Sequence, residues 1–322
     1  MGKVFITDYI TNPDVEKEVL GEIATDINDT EIEVLLVWHK IIDKDYLNNF
    51  SNLKGMVRYG VGTDNIDFDE AKKRKLFLCN TPDYGIDEVS DTTIAFAMNF
   101  VRGISEYDVK SKLISDNSWQ ENTIDHKRRT SSLTLGVIGA GRIGSSVLLK
   151  ANAIGFKTIF YDPYKEQGYD KVISAVKFEE LEEFIAMADI ISINAVLNEE
   201  TNCMVNEKFI DQMKKGSYLI NTARGKIVEN LDLFINPIKE KKILGIGLDV
   251  LPEEPPNKDS EFISAWLENE SWIAGKAIIN HSGSMVTGDF IKVYCISSTA
   301  PQWMIFQTEH LLMDTWEEVF FF

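Results

Sequence analysis

The feature that most constrains this chain is a glycine pattern set between a strand and a helix. An apolar, β-branched run leads directly into Gly-Ala-Gly-Arg-Ile-Gly at residues 139–144, and residues of helical periodicity follow. In this context Gly139 permits a tight turn, Gly141 lets the backbone approach a pyrophosphate, and Gly144 allows close packing of helix on strand. The phosphates would then meet the positive end of the helix dipole. The pattern predicts a dinucleotide-binding site, against the alternative of an ordinary strand-to-helix turn without a ligand.

An acidic residue at the end of the next strand pattern indicates which dinucleotide binds. Asp162 follows Gly144 by 162 − 144 = 18 residues, where a ribose-binding carboxylate belongs. Such a carboxylate accepts hydrogen bonds from the ribose 2′ and 3′ hydroxyls and repels a 2′-phosphate. We therefore predict NAD rather than NADP as the cofactor. The alternative for Asp162 is a solvated turn residue before Pro163.

Short β-branched runs alternate with helical patterns along most of the chain, which predicts an α/β fold with parallel sheets. Before residue 103 the strand patterns are 3–7, 34–38, 55–58 and 76–80. After it they are 134–138, 157–161, 190–194, 217–221, 243–248 and 277–280. The second series predicts a doubly wound sheet of six strands, and a long helix is expected over residues 87–103.

The length of the chain sets its domain organisation. At 322 residues it exceeds what a single core usually covers, so we expect two domains with a cleft between them. The predicted boundaries are residues 1–102 for the first part of a substrate domain, 103–290 for a Rossmann NAD-binding domain, and 291–322 for a return to the first domain.

The charge balance and the cysteine count exclude several classes of protein. A formal net charge of −18 opposes binding to nucleic acid or to an anionic membrane, because phosphates would be repelled. No apolar stretch approaches the roughly 20 residues of a membrane span, and the N-terminus lacks a signal-peptide pattern. The 3 cysteines have no metal-ligand spacing and support neither a disulfide framework nor a metal site. We predict a cytoplasmic protein without a metal, nucleic-acid or membrane partner.

Three further segments carry polar residues at strand ends of the second series, where the ligands of a doubly wound sheet gather. These segments are 221–225, 247–255 and 280–283. Hydride removal from a secondary alcohol needs a base for the hydroxyl proton and a cation that holds a carboxylate and polarises the developing carbonyl. Imidazole titrates in the useful range, and a neighbouring carboxylate raises its pKa. The residues that supply these types are Arg224, Glu254 and His281.

In the order and spacing of its motifs the chain resembles the D-isomer-specific 2-hydroxyacid dehydrogenases, most closely their branch that includes the C-terminal-binding proteins. The motifs that carry the resemblance are 58–67, 81–85, the 139–144 loop with Asp162, 221–225 and 248–255. The resemblance implies an NAD-dependent oxidoreductase that acts on a small D-2-hydroxy acid or reduces its 2-keto counterpart. It also implies that the Rossmann domain is inserted in a smaller, flavodoxin-like α/β substrate domain, and that the protein is a homodimer.

The resemblance further implies roles for individual residues. Arg224 would bind the substrate carboxylate and carbonyl, His281 would act as acid and base, and Glu254 would orient and charge the imidazole. Substrate contacts are implied for Arg58, Val61 and Gly62. Cofactor contacts are implied for Gly139, Gly141, Arg142, Ile143, Gly144, Asp162, Asn194, Ala195, Val196, Asn198, Thr222, Ala223 and Asp249, the last on the nicotinamide carboxamide.

Alternatives stay open for each catalytic residue and for the function. Arg224 also fits a surface arginine in a turn, Glu253 could take the place of Glu254, and His281 also fits a core histidine at a strand end. The competing functional hypotheses are a dinucleotide-sensing scaffold of the corepressor type and an inactive homologue. The presence of all three catalytic residue types favours an active enzyme over both of these hypotheses.

Overall fold

The computed structural model describes residues 3–8, 10, 12–81, 83–120, 124 and 126–280. Within them the chain divides into two compact units, one up to Tyr84 and one from Gly85 onward. Each unit is built on its own parallel sheet. The predicted return of residues 291–322 to the first domain lies outside the described residues.

The first unit alternates strands and helices. Its elements are β1 (Lys3–Ile6), α1 (Asp14–Leu20), β2 (Ile23–Ala24), β3 (Ile32–Val37), α2 (Lys44–Leu47), β4 (Gly55–Arg58), α3 (Phe68–Lys73) and β5 (Phe77–Asn80). The strand order in the described part of this unit is β2-β1-β3-β4-β5. The four predicted strands are confirmed, whereas β2 was not predicted because two residues are too short to show a periodic pattern.

Apolar clusters cover both faces of the first sheet. Leu35 and Met56 belong to the cluster on one face, and their chain neighbours Leu36 and Val57 belong to the cluster on the other. The alternation follows from the strand geometry, in which successive side chains point to opposite faces. This burial on both sides explains why these strands read as continuous apolar runs.

The second unit has the doubly wound pattern that the sequence predicts. Its elements are α4 (Ile86–Arg102), α5 (Ile104–Ser111), β6 (Thr134–Ile138), α6 (Arg142–Ile154), β7 (Lys157–Tyr161), α7 (Tyr169–Ile173), β8 (Val176–Phe178), α8 (Leu181–Met187), β9 (Ile190–Ile193), α9 (Glu207–Gln212), β10 (Ser217–Asn221), α10 (Ile235–Lys239), β11 (Ile243–Leu248), α11 (Glu261–Leu267) and β12 (Ala277–Ile279). The strand order among described residues is β12-β11-β10-β9-β6-β7-β8. The six predicted strands are confirmed, and β8 adds a seventh, partly exposed edge strand that gave no apolar signal.

The helix α4 belongs to the second unit because it packs on that unit's sheet, against β11. Methyl groups placed on Gly245 and Gly247 of β11 would lie 2.7 and 2.8 Å from the rings of Phe100 and Phe96, so these glycines make room for the helix. The compact unit that contains the helix begins at Gly85, whereas the domain boundary near residue 103 stays a prediction. Apolar periodicity identified the helix, but it carried no information about which sheet the helix packs on.

The strand order reverses between β6 and β9. From β6 the chain proceeds outward through β7 and β8, then returns to β9 on the other side of β6 and continues through β10, β11 and β12. In an open parallel sheet, ligands bind outside the carboxyl ends of the strands at such a switch point. The loops that follow β6 and β9 therefore define the crevice in which a ligand of this unit is expected.

Candidate active site

The glycine loop after β6 has the geometry of a pyrophosphate cradle. Gly139 has a φ of +88°, and a methyl group there would lie 2.7 Å from the backbone nitrogen of Ala195, which follows β9. A methyl group on Gly144 would overlap the carbonyl oxygen of Gly139. Gly141, which caps α6, has open space where its side chain would be. Two glycines are thus required by the fold, while the third leaves the backbone accessible, which fits an anionic ligand at the start of α6.

Asp162 sits one residue beyond β7 with both carboxylate oxygens engaged. Its Oδ2 accepts a hydrogen bond from Ala140 N–H at 2.9 Å, and its Oδ1 accepts one from Tyr164 N–H at 3.0 Å. The side chain is only 8% exposed. Asp162 therefore ties the loop after β7 to the glycine loop, and each of its oxygens retains lone pairs that can accept a ribose hydroxyl. The solvated-turn alternative does not describe a carboxylate so enclosed.

The segment after β9 lines the other side of the crevice. Asn194 N–H donates to the Ile138 carbonyl at 2.8 Å, and the Asn194 amide lies 3.4 Å from the Thr222 hydroxyl. Thr222 is also hydrogen-bonded at 3.0 Å to Thr93 of α4. Further along, the side-chain oxygen of Asn198 accepts hydrogen bonds from backbone N–H groups of its own turn. In this arrangement Asn198 shapes the loop.

The loop after β10 carries Arg224. The buried Asn221 holds this loop, because its amide donates to the Arg224 carbonyl at 2.9 Å and its oxygen accepts from Ala223 N–H at 3.1 Å. A methyl group on the next residue, Gly225, would overlap the carbonyl oxygen of Leu251. The loop that carries Arg224 is therefore in direct backbone contact with the loop that precedes Glu254.

The loop after β11 carries Asp249 and Glu254. Asp249 N–H donates to the Asn221 carbonyl at 3.0 Å, and its side chain is 4% exposed. Glu254 is exposed, and its Oε1 accepts a hydrogen bond from Leu251 N–H at 2.8 Å. This bond turns the Glu254 side chain back toward its own loop.

His281 lies outside the described residues, but the segment that leads to it is described. β12 pairs with β11 through Leu248 and Ile279, and Asn280 N–H continues the pairing by donating to the Leu248 carbonyl at 2.8 Å. The segments bearing Arg224 and Glu254, and the one that leads into His281, thus leave the carboxyl ends of the adjacent strands β10, β11 and β12.

The loop after β4 in the first unit bears the predicted substrate contacts. Arg58 Nε lies 3.4 Å from Asn65 Oδ1, and its Nη1 donates to the Tyr59 carbonyl. The Val61 carbonyl accepts a hydrogen bond from the Asn80 amide at 2.7 Å. Asn65 and Asn80 were not singled out from the sequence as anchors of this loop, although Asn80 ends an apolar run and Asn65 follows Gly-Thr-Asp, places where a turn needs side-chain hydrogen bonds.

The described residues also bear on two other classes of site. No helix there is long and apolar enough to cross a membrane. No group of three or more His, Cys, Asp or Glu side chains in that same part of the chain could hold a metal ion.

Comparison with known proteins identifies a family. The family model described as "D-isomer specific 2-hydroxyacid dehydrogenase, NAD binding domain" matches residues 94–271. Glyoxylate reductase of Thermococcus litoralis is 33% identical over 241 residues, which cover 73% of this chain and 71% of that protein. C-terminal-binding protein 1 of Caenorhabditis elegans is 31% identical over 252 residues, which cover 77% of this chain but only 33% of the larger relative.

A solved structure agrees with these matches. The D-lactate dehydrogenase of Aquifex aeolicus, crystallised with NAD and lactic acid, superposes with a TM-score of 0.80 at 26% identity, covering 96% of each chain. The likeness extends over more of the chain than the family model does.

Proposed function

The chain belongs to the D-isomer-specific 2-hydroxyacid dehydrogenase family, and from that premise we propose that it transfers a hydride between NAD and carbon 2 of a small D-2-hydroxy acid or the corresponding 2-keto acid. One observation carries the proposal: the glycine loop after β6, the segments after β10 and β11, and Asn280 at the end of β12 all lie at the carboxyl edge of one sheet. NAD supplies the hydride acceptor when bound. The remaining chemistry, which is proton transfer and charge stabilisation, falls to side chains.

Arg224 is the proposed substrate cation. Its guanidinium would pair with the substrate carboxylate and polarise the carbonyl oxygen, a task suited to its planar fork of donors. On a chain of net charge −18, an anionic substrate needs such a local positive group. Support comes from the buried Asn221, which holds the backbone on both sides of Arg224 and so limits its position.

His281 and Glu254 are the proposed acid–base pair. His281 would take the hydroxyl proton during oxidation and return it during reduction. Glu254 would fix the imidazole tautomer and raise the pKa of the ring, as an adjacent carboxylate does. The contact between Gly225 and Leu251 supports joint action of Glu254 with Arg224, because it couples the loops that carry them.

The remaining predicted contacts complete the proposal. Substrate contacts are assigned to the backbone of Val61 and Gly62 and to the side chain of Arg58. The side chain of Asp249 is assigned to the nicotinamide carboxamide. The bond from Asn80 to the Val61 carbonyl supports the first assignment, because it leaves the substrate loop with a defined shape.

The test is a change of NADH absorbance with a panel of 2-keto acids, including glyoxylate, pyruvate, hydroxypyruvate and longer homologues. We expect oxidation of NADH with at least one of them, and the reverse reaction with the D but not the L isomer of the product. Binding of NADH without turnover of any acid would favour the scaffold or inactive-homologue hypothesis instead. Absence of NADH binding would refute the cofactor site itself.

We also propose a cytoplasmic homodimer that has no nucleic-acid or membrane partner. The net charge of −18 supports the exclusion of polyanions, since their phosphates would be repelled. Light scattering coupled to gel filtration tests the dimer, and a mass near 36.5 kDa, that of one chain, would contradict it. Gel-shift and vesicle-sedimentation assays at low salt test the excluded partners.

A further inference from the structure

A hydrogen bond links the two loops that flank the dinucleotide crevice. The Tyr164 hydroxyl donates to Glu200 Oε2 at 2.6 Å. Tyr164 lies in the segment after β7 and Glu200 in the segment after β9, while β6 runs between these two strands in the sheet. The bond therefore joins the loops that follow the two strands next to β6, and Tyr164 lies two residues after Asp162 in the chain.

Glu200 is also positioned by its own turn. Asn198 Oδ1 accepts hydrogen bonds at 3.0 Å from Glu200 N–H and from Thr201 N–H, and the Thr201 hydroxyl donates to the Val196 carbonyl at 2.6 Å. Tyr164 and Val196 are 72% and 73% exposed. The turn thus presents the Glu200 carboxylate and the Val196 side chain to solvent, and the exposed ring of Tyr164 meets it from the loop after β7.

The charges of Glu200 and Asp162 act on the same surroundings. The hydrogen bond to Glu200 raises the pKa of Tyr164, as do burial and the charges of Glu200 and Asp162. Burial raises the pKa of Tyr161, and this pKa is raised further by the negative charges of four carboxylates, those of Glu180, Glu182, Glu200 and Asp162. Because charge effects fall with distance, Glu200 and Asp162 both contribute to the negative field at the end of β7.

We propose that Glu200, positioned by Tyr164, is a second determinant of cofactor choice, which repels the 2′-phosphate of NADP and leaves NAD unopposed. This inference rests on the proposed cofactor site and deepens it. Asp162 both binds ribose hydroxyls and repels phosphate, whereas Glu200 acts through charge alone. Removal of Glu200 therefore has its own signature: NADPH binds more tightly while NADH affinity stays the same.

The experiment is titration of NADH and NADPH into the full chain, followed by quenching of its tryptophan fluorescence. Removing one carboxylate near the 2′-phosphate should make NADPH binding more favourable by about 1 kcal/mol, so Glu200→Gln should bind NADPH about fivefold tighter than wild type. Its NADH affinity should stay within about twofold of wild type. Glu199→Gln is the matched control, because it removes the same charge from the adjacent exposed residue. Its NADPH affinity should change less than about twofold, since Tyr164 does not hold it in the crevice.

Tyr164→Phe separates the hydrogen bond from the charge. The ring and the Glu200 carboxylate both remain, but the carboxylate is no longer anchored, so NADPH affinity should rise by less than in Glu200→Gln. In the double variant Tyr164→Phe/Glu200→Gln the tyrosine change should add nothing, because the two residues act as one unit. Added KCl should narrow the preference for NADH more in wild type than in Glu200→Gln, since salt screens the repulsion.

Three outcomes would overturn the inference. An NADPH-to-NADH affinity ratio that Glu200→Gln leaves unchanged removes the proposed repulsion. An equal effect of Glu199→Gln shows a diffuse field without a specific role for Glu200. Failure of wild type to bind either nucleotide instead refutes the cofactor site, and the inference with it. Circular dichroism and thermal melting of each variant distinguish these results from misfolding.

Discussion

Two regions at the carboxyl edge of the second sheet are built in different ways. At the ends of β6, β7 and β9, the dinucleotide loop is built on one short glycine motif, in which Gly144 lies against the Gly139 carbonyl, and contacts from Ala195 and Asp162 support it. At the ends of β10 and β11, the segments that carry the proposed catalytic residues Arg224 and Glu254 share no such motif and are held by contacts between separate loops. The cofactor end is therefore centred on one motif, and the catalytic end is assembled from separate segments.

The difference has a practical consequence for mutation. A change in the glycine loop affects the fold of its own strand–helix unit and the binding of NAD. A change at the contact between Gly225 and Leu251 affects the relative placement of Arg224 and Glu254 while the cofactor end stays intact. Variants that separate cofactor binding from turnover should therefore map to β10, β11 and β12, and those that lose both should map to β6.

The largest effect is expected at the catalytic end, from His281→Ala. Loss of a general acid–base group lowers the rate by roughly 10²–10⁴-fold, so kcat should fall by this order. NADH affinity should change little, because the role proposed for the imidazole is on the substrate hydroxyl and not on the dinucleotide. Steady-state kinetics and fluorescence titration measure the two quantities, and His126→Ala, in the loop before β6, serves as the control. Unchanged kcat in the variant would refute the assigned role.

The next effect is expected from Gly225→Ala, which disturbs the assembly without removing a catalytic group. The added methyl group would overlap the Leu251 carbonyl and push apart the loops bearing Arg224 and Glu254. Misplacement by about 1 Å can cost roughly 100-fold, so we expect kcat/KM to fall by between about 10-fold and 100-fold. NADH affinity should remain near wild type.

Gly85→Ala is a suitable control for this substitution. Its added methyl group would come no closer than 3.8 Å to Val89, which is ordinary contact. Loss of NADH binding in Gly225→Ala with kcat preserved would contradict the division between an assembled catalytic end and a local cofactor end.

The same division explains how much of the fold the sequence could predict. Strands buried on both faces gave continuous apolar runs, so ten strands were located, whereas β2 is too short and β8 too exposed to give one. The helix α4 was found by its periodicity, but the sheet on which it packs was not predicted. Phe96 and Phe100 indicate an apolar face, and the sequence does not show which sheet that face contacts. Packing partners are a property of tertiary structure.

In the candidate site, the residues required by a local motif could be predicted from the sequence, but the residues that hold them in place could not. Gly139, Gly144 and Asp162 stand out because the motif itself requires them. Asn221 lay in a recognised segment, but its role as the anchor of Arg224 needs the geometry of the loop. Glu200 lay in an ordinary polar turn, and only its bond to Tyr164, in the loop on the other side of β6, gives it significance.

A third prediction tests the local character of the cofactor end with two glycines of one motif. Gly144→Ala should destabilise the protein, because the methyl group meets the Gly139 carbonyl; overpacking typically costs about 1–3 kcal/mol. Gly141→Ala should leave the melting temperature unchanged, since its methyl group enters open space. It should still weaken NADH binding by about tenfold or more, because it fills the approach of the pyrophosphate. Thermal melting and NADH titration give both readouts, and normal NADH affinity in Gly141→Ala would exclude the pyrophosphate from this position.

The smallest effect is expected from Asp162, where binding and loop anchoring can be separated by comparing alanine with asparagine. Asp162→Ala removes the proposed ribose acceptor and leaves two backbone N–H groups, those of Ala140 and Tyr164, without their carboxylate. It should narrow the preference for NADH over NADPH by about tenfold and lower stability by about 1–3 kcal/mol. Asp162→Asn retains one acceptor oxygen for these N–H groups, so it should narrow the preference with a smaller loss of stability. If the ratio of NADH to NADPH affinity is unchanged in both variants, Asp162 anchors the loop but does not bind the ribose.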